Sequence, residues 1–564
     1  MSWEVLTMRS RISFFNETVY RKDLTRFAPA WLIYTAGCLL VLLNLVSGAR
    51  AQLAGEILVE GLSLMAVANF FYAPVCALLL FGDLYHARLC NALHAMPLRR
   101  ESWFLTHLAA GFTFALIPYV LVALCTLPTL SWNWAMAPVW LLGSMLEFGF
   151  FFSLAVLCVF STGSRFAATV FYALANFLAA IAAGFVEEIY GPLLTGVTVN
   201  TDWARLLTPL TLLIADNDWL FGFDKQLRMQ YGIGQCWTHL LILTAVAVAF
   251  YGIALLLYRR RKLECAGDFV AIRGLRPVFL VLYTLAVAML FHLFNTAFWG
   301  SEDVGTFFFV GLAIGWFTGL MLLRRTVRVL RGSTVLGFVV LAAALLVSFL
   351  LTWADPLGIT RWVPGAEDVK SVTLDGYGYF YGGVKVTEPD KIMEVTDIHT
   401  RAIQENVDVD SISIYEPVDR DTVALILRYE LENGKTTERT YNLDVDTELA
   451  QRLVPYFSDP KVILGYEDWD KFLEELYQLR IDWNDDFVIT GEDAVSLAEA
   501  IKADCEAGKM VQYWDFHQEN GTSNHAVTVD IVVGDRHFDF AVYLDCDNTM
   551  QWLRSHDLLP EHLK

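Results

Sequence analysis

Glu147 is the one carboxyl group in the apolar stretch Ala137 to Phe160. An ionisable side chain is expensive to hold at bilayer depth. It therefore marks a contact in a ligand path, a latch between helices, or a group shallow enough to reach the interface. Asn176 and His292, also inside apolar stretches, read as helix-packing hydrogen-bond groups. A second set, His86, Leu89, Leu93, Pro97, Arg99 and Arg100, lies in a connection. Leu89, Ala92, Leu93 and Met96 recur at helical spacing, and Pro97 ends the pattern ahead of the basic pair. The short amphipathic helix expected there either lies on lipid headgroups or docks into a groove on a cytosolic partner. A third set, Trp203, Leu206, Leu207, Leu210 and Ile214, falls on one helical face behind Asp202, a plausible N-cap. It reads as a helix that gates the outer side, or as one resting on the outer leaflet.

The elements that must position these residues follow from length. A hydrocarbon core about 30 Å thick needs roughly 20 apolar helical residues to cross it. Nine stretches come close: 27–46, 61–81, 104–127, 137–160, 166–186, 237–258, 277–298, 304–323 and 335–353. Inside lipid each must satisfy its own backbone, so helices are expected. Alternate connections carry 19 and 4 of the Lys and Arg residues before Asp355, which puts the N-terminus in the cytoplasm and leaves the end of the chain outside. The first stretch is too long, and too far behind Arg9, Arg11 and Arg21, for a cleaved signal peptide.

From Asp355 onward the chain carries 43 Asp and Glu against 18 Lys and Arg. This acidic part lacks the basic patch that nucleic-acid binding needs. Its pattern is α+β. Strands are expected at 369–374, 411–415, 422–431, 437–443, 510–516, 526–533 and 538–544, with hairpin turns at Asn433-Gly434 and Gly534-Asp535. Helices are expected at 390–405, 446–457, 468–479, 491–506 and 548–558. The run from Tyr441 to Leu453 echoes that from Tyr543 to Arg554, which suggests two helix, strand, strand, helix units at about 390–459 and 491–559. The pairs Asp444/Asp446 and Asp545/Asp547 invite a calcium hypothesis. Capping is the better reading, because a calcium loop needs more oxygen ligands over a longer span. Scattered histidines and the absence of a Gly-x-Ser-x-Gly turn disfavour a hydrolase. Of the nine cysteines, Cys38, Cys76, Cys125 and Cys158 lie in apolar stretches, and a Cys505–Cys546 disulfide is open but has no motif to support it.

Three connections now take on a shared meaning: Phe14 to Phe27, the turn His94-Ala-Met-Pro-Leu-Arg-Arg100, and Tyr258-Arg-Arg-Arg-Lys-Leu-Glu-Cys-Ala-Gly-Asp268. With Asp355 to Val363 after the last stretch, they resemble the permease subunits of type-2 ABC exporters, in the large Gram-positive form that ends in an extracytoplasmic domain. The resemblance implies a polytopic α-helical membrane protein of about nine transmembrane helices in a bacterial cytoplasmic membrane, followed by an α+β extracytoplasmic domain. Residues 1–26 would form an amphipathic N-terminal helix, 27–258 a six-span core, 259–353 three further spans and 354–564 the external domain. Residues 86–100 would be the coupling helix, and 187–236 the external gate loop with Trp203, Leu207 and Leu210. The chain has no Gly-x-x-x-x-Gly-Lys-Ser/Thr phosphate loop. ATP and Mg would belong to a separate cytosolic ABC ATPase, and the chain itself would be no enzyme and hold no cofactor. A second permease chain and membrane lipid are the other expected partners. The implied activity is outward movement of a peptide antibiotic, a lipid or another amphiphile. An ATPase-coupled receptor that senses a ligand without transport is the alternative, and an envelope scaffold is a third.

Overall fold

A computed structural model of the chain describes residues 14–47, 54–95, 99–126, 136–214, 227–261, 267–272, 274–299, 304–376, 384–404, 422–444, 447–457, 476–481, 488–507, 509, 525–533, 536–544 and 546–559. The chain divides into two compact units, Met1–Val186 with Asn200–Leu346, and Glu187–Val199 with Val347–Lys564.

The first unit is helical. Its elements are α1 (Glu17–Arg26), α2 (Ala28–Ser47), α3 (Ala54–Phe81), α4 (Ala87–Ala95), α5 (Arg100–Thr126), α6 (Met136–Ser161), α7 (Arg165–Gly184), α8 (Asp202–Leu207), α9 (Leu227–Arg260), α10 (Leu275–Trp299), α11 (Val304–Arg324) and the start of α12 (Gly332–Ala354). Among the described residues eight helices are long and apolar enough to cross a bilayer. The pair α1 and α2, bent by 58°, makes a ninth if taken as one span. Helix α3 starts seven residues before the expected apolar stretch, and α9 starts ten before its own. Hydropathy sees the lipid-length window, whereas backbone hydrogen bonding continues through any residue that tolerates a helix.

Helix α6 is the axis of this unit, with 72% of its apolar window buried against 6% for α12. Around it Phe81, Phe104, Phe114, Phe148, Phe151, Phe152 and Trp140 are fully enclosed. Helices α10 and α11 approach closely along Gly311 and Gly315, spaced one turn apart. A Cβ on Gly311 would meet Ala288 Cα at 2.9 Å, and one on Gly315 would meet Thr284 Cα at 2.9 Å. Such small-residue stripes let membrane helices gain contact where apolar burial gives no drive.

The second unit contains two antiparallel sheets of the same design. The first is built from β1 (Val369–Gly376), β2 (Val384–Val386), α13 (Pro389–Gln404), β3 (Thr422–Leu431), β4 (Thr436–Asp444) and α14 (Glu448–Phe457), with strand order β2-β1-β3-β4. The other uses β5 (Leu476–Ile481), β6 (Val488–Ile489), α15 (Glu492–Glu506), β7 (His525–Val533), β8 (Arg536–Tyr543) and α16 (Asp547–Ser555), in the order β6-β5-β7-β8. Each module is therefore strand, strand, helix, strand, strand, helix, two strands longer than the sequence repeat suggests. In the first, alternate residues of β1, β3 and β4, including Val372, Leu374, Leu427 and Tyr429, bury against Ile392, Val395 and Ile398 of α13.

The expected helix 468–479 is corrected where it is described: Leu476–Ile481 is strand β5, with Leu479 opposite Ile531 of β7. Leu476 and Leu479 have helical spacing, but pairing with β7 decides the conformation, as tertiary context often does for short segments. The expected strands 411–415 and 510–516, the turn Gly534-Asp535, and Asp446 and Asp545 lie outside the described residues.

Candidate functional sites: an arginine collar and a buried polar cluster

At one end of the first unit the basic connections come together around the last carbonyls of α6 and α9. These groups have no partner within their own helices and carry the negative end of the helix dipole. Arg261 supplies a cation at α6, donating to Val159 O at 3.1 Å and Phe160 O at 3.2 Å. Arg100 does the same at α9, donating to Tyr258 O at 3.1 Å and Arg259 O at 2.9 Å. The two guanidiniums stand over Tyr85 and Tyr258, at 6.0 and 5.7 Å from the ring centres. Ion pairs Arg259–Glu101 (2.9 Å) and Arg26–Asp83 (3.4 Å) extend the collar. After α9, Gly267 N donates to Gly163 O at 2.7 Å and Ala271 N to Ser161 O at 3.0 Å, so the stretch from Gly267 to Ala271 is fastened to the α6–α7 turn.

Helix α4 sits on this collar through the one-turn helix Gly82–Tyr85, whose Tyr85 hydroxyl donates to Val159 O at 3.3 Å. Cys90 is buried, while His86 is exposed and Leu89 is 46% exposed. Over residues 87–91, α4 is thus packed at Cys90 and open at Leu89. Of the residues singled out from sequence, Leu93 lies within α4, Arg99 is exposed, Arg100 turns inward to cap α9, and Pro97 lies outside the described residues.

Glu147 lies in a second cluster, at mid-length of α6, and is fully buried. Asn69 of α3 joins it, with Nδ2 donating to Glu147 Oε2 and to Ser144 O, both at 3.3 Å. Asn69 Oδ1 accepts from the hydroxyls of Tyr119 (α5) and Tyr34 (α2), the latter at 2.9 Å. Four helices of the apolar bundle therefore meet through polar side chains, and inside a bilayer each such group would need a partner within the protein. Tyr34 is half-buried and stacks on Tyr72 with ring centres 3.7 Å apart. By contrast Asn176 donates to Tyr172 O of its own helix, at 2.9 Å, which corrects the expectation of a bond between helices.

Helix α1 is docked rather than lying free. Asn16 caps it, accepting from Val19 N at 3.1 Å, while Asn16 N donates to Thr106 Oγ1 at 3.0 Å. Tyr20 meets Thr113 at 2.8 Å, and buried Asp23 faces buried His107 with Oδ2 to Nδ1 at 2.6 Å. All three partners are on α5.

The expected single face of residues 203–214 is corrected. Helix α8 ends at Leu207, because Thr208 is extended (φ −104°, ψ 98°), and a separate helical stretch covers 209–214. Trp203 and Leu207 are exposed, Leu210 is half-buried, and Leu212 and Leu213 are enclosed. Asp202 is the first helical residue, so the N-cap is Thr201.

In the second unit, residues 187–199 add to the edge of the first sheet. Thr440 N donates to Gly196 O at 3.2 Å, Val197 bridges Arg439, and the hydroxyls of Thr198 and Thr440 are 2.9 Å apart. Gly196 has φ +73°, and a Cβ there would lie 2.5 Å from the Tyr441 ring. That ring is held from behind, since buried His399 bonds Tyr441 through Nε2 at 2.8 Å and Tyr429 through Nδ1 at 3.0 Å. Burial, with the Arg439 guanidinium nearby, holds the His399 pKa down at about 3. Arg439 also donates to Ile359 O at 3.1 Å. Ile359 belongs to the turn that Asp355 closes by accepting from Ile359 N at 2.7 Å and Thr360 N at 2.9 Å.

In the second module Asp504 is the cap of α16. Its fully buried carboxylate accepts from Asn548 N (3.1 Å), Asn548 Nδ2 (2.8 Å), and Thr549 N and Oγ1 (both 2.7 Å). This corrects the capping role expected of Asp547, which instead pairs with Lys509. Cys505 and Cys546 are buried free thiols, and burial pushes that of Cys505 up. Among the described residues no group of three or more His, Cys, Asp or Glu side chains is placed to hold a metal ion.

Sequence reasoning found Glu147 but missed Asn69, Tyr34, Tyr119, the Asp23–His107 pair, His399 and Asp504. Asn69 carries a readable signal, as the lone amide in the apolar stretch 61–81. Comparisons with protein-family models, with curated proteins and with solved structures found no match to the chain.

Proposed function

We propose that the chain is the permease subunit of an ATP-driven exporter of the type-2 ABC class. In this reading it sits in a bacterial cytoplasmic membrane with the collar on the cytoplasmic side and the acidic unit outside. A separate ATPase hydrolyses ATP, and a second permease chain completes the pore. The observation that carries the reading is α4. An amphipathic helix with one open side, seated on the cation-capped ends of α6 and α9, suits a lever that a cytosolic motor pushes. Movement of α4 reaches α6, the most enclosed of the spans, and α9 through Tyr85, Arg100 and Arg261, and α6 carries Glu147. Arg99, Leu93 and Pro97 belong to this lever. Trp203, Leu207 and Leu210 belong to the outer gate, and the substrate is an amphiphile.

A receptor that senses through its external unit is the second reading. It is favoured by the docking of residues 187–199 and of the 355–362 turn onto β4 around Arg439. Reconstitution with the partner ATPase separates the two. ATP-dependent movement of an amphiphile across the vesicle membrane supports export, whereas ligand binding to the acidic unit with no movement refutes it in favour of sensing.

A further inference from the structure

A cavity of about 650 Å³ opens between α2 and α3, within the roughly 300–1,000 Å³ range of small-molecule sites. Ile33, Gly37, Leu64 and Phe71 give it apolar walls, and Tyr34 and Tyr72 form part of the lining. Tyr34 also belongs to the polar cluster, since its hydroxyl rests on Asn69 Oδ1 and Asn69 Nδ2 reaches Glu147. Tyr34, with Asn69 behind it, thus separates a hydrocarbon-like groove from a carboxyl group. The arrangement has the two halves of an amphiphile site: apolar walls for a chain, and beyond Tyr34 an acidic group with an amide beside it.

We infer that this groove binds a single-chain amphiphile carrying an amine. The chain lies along Gly37 and Phe71, and the Tyr34 ring swings off Tyr72 to admit the ammonium to Asn69 and Glu147. Charge complementarity selects the amine over a neutral or acidic head, because a charge-assisted hydrogen bond to a carboxylate is the strongest recognition available there. The inference rests on the exporter reading only for the direction in which the ligand moves. Binding is a property of this chain alone.

The test uses the full chain in nanodiscs without any ATPase, so that failure of ATPase coupling leaves the result intact. Radiolabelled dodecylamine and dodecanol are the probes, measured by scintillation proximity with empty discs subtracted. Dodecylamine is expected to bind at least about tenfold more tightly than dodecanol, and Glu147→Gln to remove that difference while keeping dodecanol binding. Gly37→Trp is expected to abolish binding of both. A Cβ at Gly37 meets nothing within 4 Å, so the new side chain starts into the open groove, and retention of the fold is checked by the thermal melting of the purified variant. Equal binding of the two probes to the wild type, which would mark a general lipid-chain groove, overturns the inference. So does an unchanged preference in Glu147→Gln, or unchanged binding in Gly37→Trp, which would place the ligand elsewhere.

Discussion

His399 makes the acid stability of the first module calculable. Its ring is enclosed between Tyr429 and Tyr441, and its pKa of about 3 lies well below the ordinary 6.5. Native His399 is therefore neutral across the range in which the unfolded chain takes up a proton, so unfolding binds a proton as pH falls below about 6.5. The sign is that of a depressed pKa. The stabilisation is whole above pH 6.5 and is lost progressively as pH falls toward 3. The slope approaches about 1.4 kcal/mol per pH unit, and about 2 kcal/mol is lost between pH 8 and pH 5. Carboxylates such as Glu430, which Lys370 holds below the ordinary range, titrate under that window. The assay is hydrogen exchange on the full chain, following β3 and β4 amides and correcting for intrinsic rates. His399→Phe keeps a ring in place but cannot titrate. It lowers stability at every pH by leaving two tyrosine hydroxyls short of a partner, and it flattens the slope between pH 5 and 6.5 by about one proton. Equal slopes in the wild type and His399→Phe would refute the assignment of a buried neutral imidazole.

Gly196→Ala places a side chain at positive φ against a ring that His399 holds still, at a cost of about 1–2 kcal/mol for the backbone alone. Disulfide formation between Thr198→Cys and Thr440→Cys, efficient in the parent, should fall sharply in its presence. Asp504→Ala removes four hydrogen bonds from the start of α16 and should destabilise the second module by about 2–4 kcal/mol, read as loss of exchange protection in α15 and α16. Arg261→Ala uncovers Val159 and Phe160 carbonyls, and the last turn of α6 should exchange faster by about 1–3 kcal/mol of protection, with Lys restoring only part.

Features set by a repeating local rule were legible in the sequence. The apolar windows of α5, α6, α10 and α11 fall within a few residues of their helices, because bilayer length and helix period both act over the same 20 or so residues. The Asn433-Gly434 turn is where positive φ demands it, with Gly434 at +77°. What escaped depends on partners distant in sequence. Leu476–Ile481 looks helical until β7 pairs with it. The cap of α16 sits 44 residues upstream of Asn548, and nothing near Asp547 announces it. Glu147 was visible as an oddity, but its meaning depends on Asn69, which lies 78 residues away and hydrogen-bonds to it. Arg100 was read as part of a partner-facing surface by its place after Pro97. Geometry gives it the terminal carbonyls of α9 instead, leaving Leu89 and His86 as the open face of α4.

The exporter reading stands or falls on that open face. The direct measurement is affinity purification of the full chain from its own membranes, with identification of bound cytosolic proteins, for the wild type and for Leu89→Asp. Leu89 is partly exposed, so the substitution leaves the collar's hydrogen bonds in place. The account predicts that the wild type retains an ABC-type ATPase and that Leu89→Asp, folded and in the membrane, loses it. Absence of any such ATPase from the wild type, or equal retention by Leu89→Asp, would contradict it.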